Sequence, residues 1–304
     1  MRRRLVNAGD FGRVAVLHGG DTSEREVSLV SGATVLASLQ RHGVDAFAVD
    51  GLPRLIACIH AGEVDRVFNI LHGGAGENGV VQGALQAMGM PVTGTGLLGA
   101  ALSMDKLRSK RVWMALDLPT PAYRVHTGED VEDLKHCLPA VVKPAREGST
   151  VGISRVEHAE QLPAALETAA AHAGEVLVER LVRGVDLTVA VLDGEALPSV
   201  RILSESGFYD YAAKYQSDTT RYECPAHSGE REAQLRQLAL AACRALDVSG
   251  WARVDLIEDQ AGGFWLLEVN TTPGMTDHSL VPIAAAEAGL PLDELIWHIL
   301  ETST

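Results

Sequence analysis

The sequence predicts mixed α/β and α+β domains, the first an open parallel α/β sheet. Three observations carry that reading. Short aliphatic runs alternate with helix-like segments over the first hundred residues, as they do when parallel strands are joined by crossover helices. In the last third, strand-like runs accumulate around the helix-like segment "EREAQLRQLALAACRALDV". The 304 residues, 46% hydrophobic and 22% charged, suffice for two or three cored domains and are too apolar for a disordered chain.

Taken in order, "RVAVLH" (13–18) is a β-branched and aliphatic strand ending in Gly-Gly. "SEREVSLVSGATVLASLQRHG" then reads as an amphipathic helix closed by glycine, with Ser23 and Glu26 spaced as a capping box and Glu24 in the first turn. "DAFAVD" and "RVFNILHGG" read as strands, "GVVQGALQAMG" as a helix and "MPVTGTG" as a strand into a turn. In such a sheet, ligands gather near the carboxyl ends of the strands. A helix, "SMDKLRSKRVWMALD", runs into "LPTPAY", whose prolines end it and mark a boundary. A smaller α+β stretch follows: strand "AVVKPA", loop "REGSTVG", strand "ISRV", helix "AEQLPAALETAAAHAG" and strand "EVLVERLV". The last third holds strands "DLTVAVLDG", "ALPSVRIL", "GWARVDLIED" and "GFWLLEVN", the helix "EREAQLRQLALAACRALDV", and a polar tyrosine-rich loop over 204–225 long enough to be functional. The expected domains are 1–96, 97–182 and 183–304.

A formal net charge of −14 excludes a non-specific nucleic-acid or anionic-membrane surface, so any anionic ligand must be held by a few local lysines and arginines. Cys58, Cys137, Cys224 and Cys243 lack CxxC or zinc-type spacing and read as reduced thiols. The start "MRRRLVNAGDFG" is followed by no apolar h-region, and no apolar run reaches spanning length. A cytoplasmic protein is expected.

The stretch "LLEVNTTPG" (266–274) carries an acid and an amide two positions apart before a Pro-Gly turn. In an extended strand Glu268 and Asn270 share a face while Leu267 and Val269 point the other way. Asp255 in "RVDL" joins them if the two strands form a hairpin. Two carboxylates and an amide carbonyl suit magnesium shared with phosphate oxygens; a solvated outer sheet face would show the same spacing. Lys143 ends an apolar strand and the loop "EGSTVG" follows, either an anion-binding nest or a flexible hairpin turn. "GTGLLG" (94–99) matches GxGxxG, but no acidic strand end follows about twenty residues on, so it reads as a turn leading into a helix. His72 ends a strand, and "VPIAAAEAG" looks helical, which puts N–H groups near Ser279 and Leu280 within reach of a carboxylate.

Together, and in order along nearly the whole chain, "HGGDTSEREVSL", "LHGGAGENGVVQG", "ALSMDKLRSK", "VVKPAREGSTVGIS", "FYDYAAKY" and "RVDLIEDQAGGFWLLEVNTTPGMTDHSLVP" resemble the D-alanine–D-alanine ligase family of ATP-grasp enzymes. The resemblance implies an ATP-grasp fold with ATP between the central and C-terminal domains. It implies a reaction in which one D-alanine is activated as an acyl phosphate and attacked by the amine of a second, giving the dipeptide of peptidoglycan synthesis, ADP and phosphate. By motif, Asp255, Glu268 and Asn270 would hold two Mg2+ ions, with Mn2+ able to substitute. Lys106 and Lys143 would meet the ATP phosphates, the loop with Ser149 would close over them, and Lys214 would also bind ATP. Glu179, with Arg180 and Val182 beside it, would bind adenine, and Asp186 the ribose. Glu24, assisted by His72, would hold the first ammonium group. Arg253 and the Gly274 N–H would stabilise the tetrahedral oxyanion, and Ser279 and Leu280 would take the second carboxylate. Tyr215 would link Ser149 to Glu24, and tyrosine there resembles dipeptide-forming members rather than those that make a D-lactate ester. The resemblance also implies a homodimer formed through the N-terminal domain.

Some positions depart from the family pattern: Arg180 and Leu181 stand where lysine and tryptophan are common, Asp186 replaces a glutamate, and "HGGAGENG" lacks the usual arginine and aspartate. Two other function classes compete. A nicotinamide oxidoreductase built on "GTGLLG" lacks the acidic strand end it needs, and a non-catalytic nucleotide binder has no use for an oxyanion donor such as Arg253.

Overall fold

The computed structural model describes residues 7–128, 131–148, 151–172, 174–204, 220–276 and 278–303, and elements are numbered within them. The N-terminal part comprises β1 (Val14–His18), α1 (Arg25–Arg41), β2 (Ala46–Asp50), α2 (Gly51–His60), β3 (Arg66–Asn69) and α3 (Val80–Ala87). Its strands pair in parallel in the order β2-β1-β3. Val14 and Val16 face one core while Ala15 and Leu17 face another, the two-sided burial expected of a parallel sheet.

Three expectations are corrected here. The segment 90–96 is not a strand: among the described residues it makes one bridge, Val67 to Val92. The ladder stops there because the Thr93 hydroxyl accepts the Asn69 N–H (2.9 Å) in place of a backbone carbonyl. The expected helix over 103–117 is two helices, α4 (Leu97–Met104) and α5 (Lys106–Ala115). They break at Asp105, which is extended and accepts the Arg108 N–H (3.0 Å) as the cap of α5. The capping box at Ser23 does not form, because Glu24 itself is the N-cap and the Thr22 hydroxyl accepts its N–H (3.3 Å). The buried face of α1 is also less apolar than its pattern suggested, carrying Ser28, Ser31, Gly32 and Ser38 with Val35 and Leu39.

The middle of the chain holds β4 (Tyr123–His126), α6 (Val131–Leu134), β5 (Ala140–Pro144), β6 (Ser154–Val156), α7 (Leu162–Ala170) and β7 (Val176–Arg180). The strands make an antiparallel sheet, β4-β7-β5-β6, one face of which packs Val142, Val156 and Val178 against Leu162, Leu166 and Ala169 of α7.

The remainder comprises β8 (Gly184–Leu192), β9 (Glu195–Ala196), β10 (Val200–Leu203), β11 (Arg221–Glu223), α8 (Gly229–Ala245), β12 (Trp251–Asp259), β13 (Phe264–Asn270), α9 (Leu280–Glu287) and α10 (Leu292–Glu301). Its antiparallel sheet runs β11-β10-β8-β12-β13, with β9 on β8. Leu187, Val189, Val254, Leu256 and Leu266 share a core with Leu235, Ala239 and Ala242 of α8 and with Trp113 of α5. On the opposite side, α9 and α10 close over the N-terminal sheet, where Leu280, Ile296 and Ile299 join the core of Val14, Val16 and Phe68. Gly94 of "GTGLLG" lets the N-terminal part meet the start of β12. A Cβ on Gly250 would stand 2.8 Å from the Gly94 Cα, and both glycines have positive φ (+71° and +90°), so two backbones meet where no side chain fits.

Candidate active site

The central and C-terminal sheets face each other across a cleft of about 430 Å³. Its walls come from Lys143 on β5, Glu179 and Arg180 at the end of β7, Val182 in the connection, Asp186 on β8, Asp255 on β12 and Glu268 on β13. A chamber of about 50 Å³ adjoins it, lined by Glu24, Glu77, Gly148, Arg253, Asn270 and others. Lys106 and Glu268 line both. On its outer side Glu24 also lines a cleft of about 680 Å³ with Arg146 and Gly148.

The acids of the expected metal site are brought together by the hairpin. Asp255 pairs with Glu268 and Arg253 with Asn270 in the β12–β13 register. Thr188, opposite Asp255 on β8, donates its hydroxyl to Asp255 Oδ1 (2.8 Å). The alternation expected along β13 is broken by a bulge: Asp255 pairs with Glu268 but Leu256 pairs with Leu266. Leu267, the extra residue, therefore lines the cleft beside Glu268, and Leu266 turns into the core in its place. The donor set fits magnesium, since two carboxylates and an amide are hard oxygen ligands. Each carboxylate is held by a cation. Lys106 Nζ lies 2.9 Å from Glu268 Oε2, and Arg253 donates to both Asp255 oxygens at 2.8 Å. Asn270 Oδ1 accepts the Thr272 N–H (3.0 Å). Burial disfavours the charged form of Lys106, but Glu268, with Glu77 and Glu179, outweighs it and holds the lysine above its ordinary pKa.

At the other end of the cleft, Glu179 is 2% exposed and ion-paired with two lysines. Lys143 donates to its Oε1 (2.9 Å), and Lys110 pairs with its Oε2. Burial alone would raise the Glu179 pKa, but the two lysines overcome it and hold the carboxyl below its ordinary value. Burial pushes Lys110 down to about 8, against the pull of Glu179. Lys110 was missed in the sequence, where it looks like a solvated helix lysine; its side chain is fully buried. Arg180, which follows Glu179, stacks on the Trp265 ring (4.5 Å).

Near the chamber, His72 is buried with Nδ1 2.8 Å from the Thr272 carbonyl and Nε2 3.1 Å from the Ser31 hydroxyl; it lines neither chamber nor cleft. Glu77, also missed, sits in the chamber wall with its carboxylate 3.8 Å from His72. Ser279 caps α9, and its N–H is not free as the sequence suggested: it donates to the Thr276 carbonyl (2.9 Å). Its hydroxyl accepts the Thr276 N–H (3.0 Å), and Leu280 is buried. A Cβ on Gly274 would lie 3.0 Å from the Ser279 hydroxyl, so glycine keeps the backbone beside α9 accessible. Ser149, Lys214 and Tyr215 lie outside the described residues.

Residues 112–301 match the family model described as D-ala D-ala ligase C-terminus. The D-alanine–D-alanine ligase of Xanthomonas axonopodis pv. citri is 54% identical over 98% of this chain and 96% of its own. The crystal structure of D-alanine–D-alanine ligase from Bacillus anthracis superposes with a TM-score of 0.85 at 34% identity, covering 96% of this chain and 97% of that one. The structure of the Bacillus anthracis ligase complexed with ATP gives 0.82 at 31% identity over the same shares.

Proposed function

The chain belongs to the D-alanine–D-alanine ligase family, and on that premise we propose how its own residues carry out the reaction. It is an ATP-dependent ligase that joins two D-alanines to D-alanyl-D-alanine for cell-wall synthesis. The 430 Å³ cleft takes ATP, with Glu179 accepting a hydrogen bond from the adenine amino group, Arg180 and Val182 beside the base, and Asp186 at the ribose. Lys106 and Lys143, with Ser149 and Lys214, hold the phosphates. Asp255, Glu268 and Asn270 hold Mg2+, which when bound neutralises charge on the transferring phosphoryl group.

The first D-alanine lies where the small chamber opens into the outer cleft, with its ammonium group on Glu24, which lines both. Its carboxylate oxygen attacks the γ-phosphorus, the bond to the bridging oxygen breaks, and ADP leaves an acyl phosphate behind. The second D-alanine, its carboxylate taken by the Ser279 hydroxyl and the Leu280 N–H rather than by the Ser279 N–H, attacks the acyl carbon with its free amine. Arg253 and the Gly274 N–H stabilise the oxyanion of the tetrahedral intermediate. Collapse expels phosphate and the nitrogen loses its extra proton. Tyr215 selects an amine over a hydroxyl as the second nucleophile.

One observation carries this reading: Lys106 and Glu268 stand in the wall that the cleft and the chamber share, so a nucleotide in one presents its last phosphate to a carboxylate in the other. Two further readings belong to the same proposal. A homodimer is supported by the exposed side chains of Val80 on α3 and Leu97 and Leu98 on α4, and a cytoplasmic location by four free cysteines. Among the described residues no helix is long and apolar enough to cross a membrane. The test is phosphate release with ATP and Mg2+, comparing D-alanine, L-alanine and D-alanine plus D-lactate, with products identified by mass. D-alanyl-D-alanine formed only from the D enantiomer is expected. ATP binding without product from any alanine would overturn the substrate assignment.

A further inference from the structure

Lys110 is buried behind Glu179 and does not line the cleft. It projects from α5, pairs with Glu179 and donates to the Thr120 hydroxyl (2.6 Å), which in turn donates to the Leu266 carbonyl (2.9 Å). Lys143 pairs with the same carboxylate but does line the cleft. The charged and titratable groups around Glu179 are therefore Lys106 and Lys110 from α5, Lys143 from β5, and Tyr123 of β4, whose ring centre is 6.0 Å from the Lys110 ammonium. Two lysines share one buried carboxylate, and only one of them can leave it for a phosphate.

We propose that Lys110 is a positioning residue for base recognition: it keeps Glu179 ionised and aimed into the cleft when Lys143 turns to the phosphates. This rests on the reading of Glu179 as the acceptor for the adenine amino group. A buried carboxyl group without a counter-ion takes up a proton. Protonated Glu179 would donate a hydrogen bond, and a donor suits the 6-oxo group of hypoxanthine as well as an acceptor suits the 6-amino group of adenine. Lys110 thus acts on the choice of purine without touching it.

The experiment measures kcat/KM for ATP and for inosine triphosphate, with D-alanine and Mg2+, in the parent enzyme, Glu179→Gln, Lys110→Met, Lys110→Arg and the Glu179→Gln/Lys110→Met double variant. The parent is expected to prefer ATP. Glu179→Gln and Lys110→Met are each expected to lower the ATP-to-ITP ratio roughly 10- to 100-fold, the range for a hydrogen bond to a charged group. The double variant should fall no further than the lower single, and Lys110→Arg should regain most of the preference. In Lys110→Met the preference should also return as pH rises and Glu179 ionises, a response that mere loosening of the fold would not give. Should Lys110→Met not fold, Lys110→Gln, which keeps a hydrogen bond to Thr120, is measured in its place. A ratio moved by Glu179→Gln but not by the Lys110 variants, or additive losses in the double variant, would overturn the proposal alone. A ratio unmoved by Glu179→Gln would overturn the reading of the adenine site and the proposal with it.

Discussion

The substitution Glu268→Gln keeps the side chain's shape and removes its charge, so it touches two roles that can be measured apart. Glu268 pairs with Lys106 at 2.9 Å, with the two side chains 29% and 7% exposed. At an effective dielectric of about 20, that separation gives a gross attraction of about 6 kcal/mol. Much of this is offset by desolvation, and breaking a buried pair costs about 3–5 kcal/mol when the surviving charge is left alone. Lys106 is not left alone: the Glu147 carbonyl still accepts from it at 2.7 Å, and glutamine still offers an acceptor oxygen. The expected loss is therefore about 2 kcal/mol, a fall of a few degrees in melting temperature for a chain of this size. The chemical step should suffer far more. With one of two carboxylates gone from the expected metal site, turnover should drop by about a thousandfold or more, in line with losing a preorganised electrostatic contact to the transferring group. Thermal melting and ATP-dependent phosphate release on the same preparation separate the two effects. A folded variant that turned over within about threefold of the parent at saturating Mg2+ would refute the metal assignment, whatever its melting temperature.

Three further outcomes are expected. Thr188→Val removes the hydroxyl that orients Asp255 and should raise the Mg2+ concentration for half-maximal rate about 10- to 100-fold; an unchanged Mg2+ titration would show that Asp255 needs no such support. Tyr215→Phe should raise the use of D-lactate relative to D-alanine by on the order of tenfold, read as the ester-to-dipeptide ratio by mass spectrometry, and an unmoved ratio would sink the specificity argument. Acid stability should depend on Glu179. Its folded pKa lies below the ordinary 4.5, so the unfolded chain binds the extra proton first; the stabilisation is present above pH 4.5 and lost as pH falls through the depressed folded value. Glu179→Gln should flatten the decline in unfolding free energy below pH 4.5 by up to about 1.4 kcal/mol per pH unit, read from denaturant melts across that range, and an acid limb identical to the parent's would contradict this.

What the sequence makes legible is what depends on neighbours along one strand or one turn. Asp255, Glu268 and Asn270 were readable as a set because the hairpin places residue opposite residue, and the register pairs Asp255 with Glu268. The strands of the parallel sheet were readable from their aliphatic runs, since burial on both faces demands them. The break between α4 and α5 was readable in principle: an aspartate followed by Lys-Leu-Arg is an N-cap signal, and Asp105 caps Arg108 as that signal says. It was missed because the helical periodicity continues through it. The first residues of α2 carried a similar signal in Pro53, near the start of the helix.

The rest was not legible, because it is decided by what a distant segment brings. Leu267 alternates correctly for a core position and is displaced into the cleft only because β12 and β13 differ by one residue in their pairing, a fact of register rather than of composition. Lys106 and Lys110 make the sharper case. They sit four apart on one helix, the spacing of an ordinary solvated basic face, yet both are buried. The carboxylates that make this tolerable are Glu268 and Glu179, more than sixty residues further along the chain and on two different sheets. Without those partners two buried ammonium groups would be among the most costly features a helix could carry. α5 is therefore stable in its place only when the central and C-terminal sheets have both closed on it, and of its two lysines Lys106 also lines the cleft between those sheets while Lys110 stays buried behind Glu179. A single helix read alone cannot reveal this, because its charges take their meaning from the two surfaces it holds together.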